Sequence, residues 1–134
     1  MLASVKPFLK SLLLPLLLFM CSHGLHAQSM DNVVQALRSG NAAALASYFP
    51  AKVEITISNG DASYSRSQAE MVLRNFFAGH APQAFNIVHQ GTSPEGSRYF
   101  IGNLVTTGGT FRTYVYAKQL NGTTSIQEIR FEDK

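Results

Sequence analysis

The stretch from Ser39 to Phe77, SGNAAALASYFPAKVEITISNGDASYSRSQAEMVLRNFF, constrains the fold of this chain more than any other part. Gly40 suits the end of one helix and Asn41 the cap of the next. Leu45, Tyr48 and Phe49 form the buried stripe of that second, short helix. Pro50 ends it, because proline has no N–H to donate and clashes with the preceding turn. Val53, Ile55 and Ile57 alternate with Glu54, Thr56 and Ser58, the period of a half-buried strand. A turn at Asn59-Gly60-Asp61 leads back into a second short strand. Ser67-Gln68-Ala69-Glu70 has the form of a capping box and predicts a helix start at Ser67. Ala69, Val72, Leu73, Phe76 and Phe77 then face one way, Arg74 and Asn75 the other, and Gly79 closes the helix.

Upstream, Met30 to Ser39 reads as a helix with Val33, Val34 and Leu37 on one face and Asp31 at its positive end. Downstream, Phe85–Thr92, Arg98–Thr107, Thr110–Leu120 and Thr123–Phe131 read as strands with no helix among them. Pro94-Glu95-Gly96, Gly108-Gly109 and Asn121-Gly122 connect them as an antiparallel meander. Gly102, inside a long strand, predicts a bulge or bend. The fold class is therefore α+β in the order α-α-β-β-α-β-β-β-β. Three helices pack on one face of a curved, mainly antiparallel sheet of about six strands.

The first 27 residues lie outside that domain. Lys6 and Lys10 precede an apolar run, Ser11 to Met20, and a short polar segment ends at Ala27. This is the layout of a secretory signal peptide, with cleavage after Ala27 and a single domain over 28–134. The run is far short of the ~20 residues of a membrane span. A second reading makes Cys21 a lipidated N-terminus, since Leu18-Phe19-Met20-Cys21 loosely resembles a lipoprotein box. The chain is expected in the periplasm or outside the cell. Cys21 is the sole cysteine, so the domain must stand on its core without a disulfide. Lys and Arg together number 11 against 8 Asp and Glu, and losing Lys6 and Lys10 leaves nine against eight. With that balance and no basic run after residue 27, a nucleic-acid partner is not expected.

The order and spacing of these elements resemble the nuclear transport factor 2-like fold, a cone-shaped member of the cystatin-like group. SGNAAALASYF is similar to the opening helices of that superfamily, and SRSQAEMVLRNFF resembles its third helix. With FNIVHQG, YFIGNLVTTGGTFRTYVYAK and SIQEIRF, the pattern resembles a group of secreted proteins of Gram-negative bacteria known as a domain of unknown function. The resemblance covers about residues 30 to 133. It implies the fold and is nearly silent on function, because the superfamily hosts enzymes, carriers and interaction modules.

Enzymes of the superfamily often place a His–Asp or Asp–Tyr pair inside the cone. After residue 27 this chain has His80 and His89, and its aspartates are Asp31, Asp61 and Asp133, at a helix start, a turn and the tail. No acid–base pair, nucleophile constellation, phosphate loop or metal-ligand spacing stands out. No cofactor or metal is expected.

Strand parity divides the remaining candidates. Two-residue turns at Gly108-Gly109 and Asn121-Gly122 place Phe100, Leu104, Phe111, Val115, Ile126, Glu128 and Arg130 on one face. A loop around Pro94 adds Phe85, Ile87 and His89. This face predicts a ligand pocket under the helices, with His89, Glu128 and Arg130 as its polar groups. The competing reading makes Glu128 and Arg130 a surface ion pair and His89 a histidine satisfied by a backbone carbonyl. The other face collects Tyr99, Ile101, Val105, Arg112, Tyr114, Tyr116, Ile129 and Phe131. Arg112, Tyr114 and Tyr116 there read either as an interface or as ordinary cross-strand packing. With both faces apolar, a second copy of the chain is expected to cover the second one, giving a homodimer.

The functional expectation is a non-catalytic exported domain that binds a small apolar or amphipathic ligand or a protein partner. The rivals are an acid–base enzyme using His89, Glu128 and Tyr114 in the cone, and a cell-envelope accessory or assembly factor.

Overall fold

The computed structural model describes residues 25–134, with side chains from residue 28. The predicted leader, apart from its last three residues, and the alternative lipidation site at Cys21 lie outside the described residues. Nine elements follow in the expected order: α1 (Leu25–Ser39), α2 (Ala42–Ala46), β1 (Lys52–Ile57), β2 (Gly60–Ser65), α3 (Arg66–Gly79), β3 (Pro82–Thr92), β4 (Ser97–Thr106), β5 (Gly109–Leu120) and β6 (Thr123–Asp133). Helix α1 begins five residues before Met30, so the predicted cleavage after Ala27 falls in its first turn.

The helix boundaries follow from local chemistry. Gly40 takes φ +64°, and the Asn41 and Gly40 amides donate back to Ala36 O (2.9 Å) and Leu37 O (3.3 Å), a Schellman closure of α1. Asn41 Oδ1 then accepts from the Ala44 amide at 3.0 Å and starts α2. The capping box of α3 sits two residues earlier than predicted. The Ser65 hydroxyl accepts from the Gln68 amide (3.3 Å), while Gln68 Oε1 accepts from the Ser65 amide (3.1 Å). Ser65 and Ser67 both have an acceptor side chain three residues on. Ser65 takes the role because β2 runs up to it in extended conformation.

The sheet has the order β2-β1-β6-β5-β4-β3, antiparallel except where β1 pairs parallel with β6. The three helices cover one face. Val33 and Leu37 of α1, Leu45 of α2, and Ala69, Leu73, Phe76 and Phe77 of α3 are buried against Phe85, Phe100, Phe111, Val115 and Phe131. Phe76 stacks on Phe131 with centroids 4.5 Å apart and meets Phe111 edge-on at 5.1 Å. Phe85 meets Phe100 at 5.8 Å. Aromatic rings from helix and sheet therefore occupy the space between the layers.

Two turns differ from the expected ones. The β1–β2 turn uses Ser58 and Asn59, with Ser58 at φ 56°, and Gly60 already pairs with Ile57. The β4–β5 turn is Thr107-Gly108 rather than Gly108-Gly109, because Gly109 pairs with Thr106. A Cβ on Gly108 would stand 2.5 Å from the His80 ring, so a glycine is needed where this turn packs on the end of α3. The shift leaves the faces of β4 and β5 as predicted. Asn121-Gly122 is the expected turn, with both residues at positive φ.

Two bulges do change the faces. In β6, Ala117 pairs with Ile126 but Tyr116 pairs with Glu128, so Gln127 is an extra residue. In β3, Ile87 pairs with Gly102 and His89 with Ile101, so Val88 is extra. The bend predicted from Gly102 is thus realised on the strand beside it. Gly102 itself leaves room for close approach: a Cβ there would lie 2.5 Å from the Phe85 ring and 2.7 Å from the Asn86 carbonyl.

Candidate functional site

Beyond Gln127 every side chain of β6 points to the opposite face from that expected. Ile129 and Phe131 are fully buried under the helices. Glu128 and Arg130 stand on the open face, where they form an ion pair with each other. The bulge at Val88 likewise carries His89 to the open face. The predicted pocket under the helices with His89, Glu128 and Arg130 as its polar groups is therefore overturned. All three lie on the other side of the sheet, and Glu128 with Arg130 is the surface pair of the competing reading.

The register sets out the open face in rows. One row runs His89, Ile101, Tyr114, Arg130, Thr56 and Asp61 from β3 to β2. The next runs Gly91, Tyr99, Tyr116, Glu128, Glu54 and Ser63. The predicted interface residues Arg112, Tyr114 and Tyr116 lie on this face as expected, joined by the residues that the bulges deliver. Ile101, Arg112, Tyr114, Glu128, Arg130 and Glu132 line a shallow concavity of about 330 Å³. A neighbouring hollow of about 240 Å³ is lined by Glu54, Thr56, Asp61 and Arg130 among others.

Cross-strand contacts fix these side chains. His89 Nε2 and the Tyr99 hydroxyl share a hydrogen bond of 2.9 Å, so the histidine is satisfied by a phenol rather than by a backbone carbonyl. The Tyr99 ring lies over Gly91, where a Cβ would be 2.6 Å from it. Tyr99 and Tyr114 have centroids 6.3 Å apart, and the Tyr116 hydroxyl meets Ser97 Oγ at 3.0 Å. The Thr56 hydroxyl donates to Asp61 Oδ1 at 2.7 Å. Burial, followed by the nearby Glu128 carboxylate, pushes the Tyr114 phenol above its ordinary pKa; Arg130 offsets part of this. Tyr114 is therefore a neutral hydroxyl at physiological pH, able to donate or accept a hydrogen bond.

This arrangement does not assemble an acid–base dyad from the predicted residues. His89 is on β3 and Glu128 on β6, three strand spacings apart, or roughly 14 Å at ~4.8 Å per step. That is too far to share a proton directly or through one water. Among the described residues, no group of three or more His, Cys, Asp or Glu could hold a metal ion. No helix among them is long and apolar enough to cross a membrane.

Sequence reasoning passed over Glu54, Thr56 and Asp61 as members of this face. A signal for the β6 reversal was present. Ile126, Ile129 and Phe131 are spaced by three and then by two, which breaks the period of a regular strand. The β3 bulge left no such mark, because Gln90 and Thr92 follow it on the helix side.

Another concavity lies on the helix side, at the end of the sheet. Met30, Asp31 and Val34 of α1, Ile87 and Gln90 of β3, and Arg98 and Phe100 of β4 are among the residues lining about 330 Å³ there. Its floor is apolar and its rim carries one carboxylate and one guanidinium.

Helices on one face of a curved, mainly antiparallel sheet, in this order, are the nuclear transport factor 2-like, cystatin-like fold. Within it, the chain belongs to the family described as Domain of unknown function (DUF4783), which it matches over residues 30–132. A DUF4783 family protein from Bacteroides uniformis ATCC 8492 is 30% identical, with a TM-score of 0.73 over 78% of this chain and 95% of that one. One from Bacteroides fragilis YCH46 is 32% identical, with a TM-score of 0.72 over 77% of this chain and 96% of that one. An NTF-2 like protein of unknown function from Silicibacter pomeroyi DSS-3 is 14% identical, with a TM-score of 0.61 over 82% of this chain and 93% of that one, and shares the fold alone. No curated protein matches the chain.

Proposed function

We propose that this chain is a non-catalytic exported binding module that takes a protein partner on its open sheet face. The observation that carries this reading is the open face itself. Among the described residues no helix lies over it, and a stripe of Tyr99, Ile101, Tyr114 and Tyr116 is set among Arg112, Arg130, Glu128 and Glu54. Tyrosine and arginine are the residues enriched at protein interfaces, and a mixture of both charge signs suits a wet, polar one. Export rests on the leader-like first 27 residues.

A photo-crosslinking residue placed at position 114, with a control at the exposed Met71 on α3, tests the reading in producing cells. The expected result is a discrete protein adduct from 114 and none from 71. Equal adducts from both positions, or none from either, would count against it. An adduct between two copies of the chain would return the face to the homodimer predicted from sequence.

A second reading has one observation in its favour: the concavity beside α1, with an apolar floor and the rim pair Asp31 and Arg98, suits a small amphipathic ligand. Protection of Ile87 and Met30 methyl resonances by lipid-like additives at micromolar concentration would support it.

A further inference from the structure

The two edges of the sheet are not alike. Edge strand β2 is six residues long, carries Asp61 and runs directly into α3. Edge strand β3 is eleven residues long and is the only one of the six strands without an Asp, Glu, Lys or Arg. It also carries two of the most exposed large apolar side chains among the described residues, Val88 at 66% and Ile87 at 40%. Natural sheets commonly protect a long edge with charge, with proline, with a bulge, with brevity or by covering it. Strand β3 has Pro82 at its start and bulges at Gln83 and Val88, but it has neither charge nor brevity. Here the cover is partial. Arg38 of α1 donates to the Phe85 carbonyl through Nε (3.3 Å) and Nη2 (3.2 Å), and among the described residues no other side chain is hydrogen-bonded to the β3 backbone. From Ile87 to Gly91 the edge offers its outward backbone groups and a β-branched side chain to solvent.

We infer that the β3 edge is a docking strand for the β3 edge of a second copy of this chain, joining two sheets antiparallel across a two-fold axis near Val88. The occupant follows from the chemistry. Outward N–H and C=O groups are matched by another extended strand, and a two-fold axis makes two identical strands antiparallel. Identical edges brought together would set like charges against each other wherever the strand carried them, and β3 carries none. The bulge at Val88 pushes that side chain outward at the centre of the contact, where it meets apolar surface of its copy. Pairing here leaves both open faces free and sets them side by side, so the inference is separate from the partner proposed for that face.

Sedimentation equilibrium on the protein as isolated, with Val88→Lys, Val88→Thr and Tyr114→Arg, tests the inference. Hydrogen exchange at low and high protein concentration locates the contact. The expected result is a concentration-dependent dimer that Val88→Lys weakens by about tenfold or more. Val88→Thr and Tyr114→Arg should leave it within about threefold, and the slowed amides at high concentration should lie in Ile87–Gly91. A monomer throughout the micromolar range would overturn it. So would a dimer indifferent to Val88→Lys, or slowed amides on the open face with a dimer broken by Tyr114→Arg. Val88 is exposed, and an unchanged melting temperature for Val88→Lys shows that its effect is on association.

Discussion

The two halves of β6 differ by one residue and lead to opposite outcomes. Up to the bulge, even-numbered side chains (Thr124, Ile126) point under the helices; after Gln127, odd-numbered ones (Ile129, Phe131) do. Had the strand run straight, Glu128 and Arg130 would have entered a phenylalanine-lined core, and two of its largest side chains would have faced water. The character of a whole sheet face thus depends on a single inserted residue. That residue also has a local anchor, since the Ile126 amide donates to the Tyr48 carbonyl at 2.8 Å, below the point where β1 takes over as the parallel neighbour. Gln127 Nε2 donates to Ser125 Oγ at 3.0 Å and holds the distorted turn of the strand.

The severest way to break the contrast is to put charge at the buried positions. Ile129→Asp with Phe131→Asp places two unpaired carboxylates in the core, a cost that rivals the whole stability of an ordinary domain, about 5–15 kcal/mol. Near-UV circular dichroism and thermal melting should show no cooperative native state. Next comes a paired truncation. Phe131→Ala removes a fully buried ring and should cost about 3–5 kcal/mol in urea denaturation. Arg130→Ala, one residue away, removes a partly exposed ion pair and should cost no more than about 1 kcal/mol.

Much of this architecture was legible because each signal was local. The Asn41 cap, the Asn121-Gly122 turn and the apolar faces of the helices each depend on a few adjacent residues. The predicted stop at Pro50 did not hold, since α2 already ends at Ala46 with Ser47 as its cap. The faces of β6 and β3 were not read correctly, because a bulge is decided by the strands alongside and by what must be buried. In β6 the uneven spacing of Ile126, Ile129 and Phe131 recorded that decision. In β3 the displaced residue, His89, is polar and left no apolar trace. The α3 start was misplaced for a different reason: two overlapping capping boxes compete, and the end of β2 chooses between them. That choice gives a smaller test. Ser65→Ala should cost about 1 kcal/mol, and Ser67→Ala less than about 0.5 kcal/mol, in the same denaturation assay.

The smallest expected effect concerns Tyr114 on the open face. Its folded pKa is raised above the unfolded value near 10 by burial and by Glu128. The stabilising contribution is therefore complete below about pH 10 and lost as pH rises through the folded value. Tyr114→Phe should remove that part of the alkaline loss of stability and leave the neutral-pH melting temperature nearly unchanged.

The central claim, that the Gln127 bulge sorts β6 between core and open face, is tested most directly by cysteine labelling of the native protein. With Cys21 replaced by serine, single cysteines at positions 128 to 132 are exposed in turn to a thiol reagent. The predicted result is fast reaction at 128, 130 and 132 and strong protection at 129 and 131. Protection at 128 and 130 with fast reaction at 129 and 131 would contradict the account and restore the straight strand.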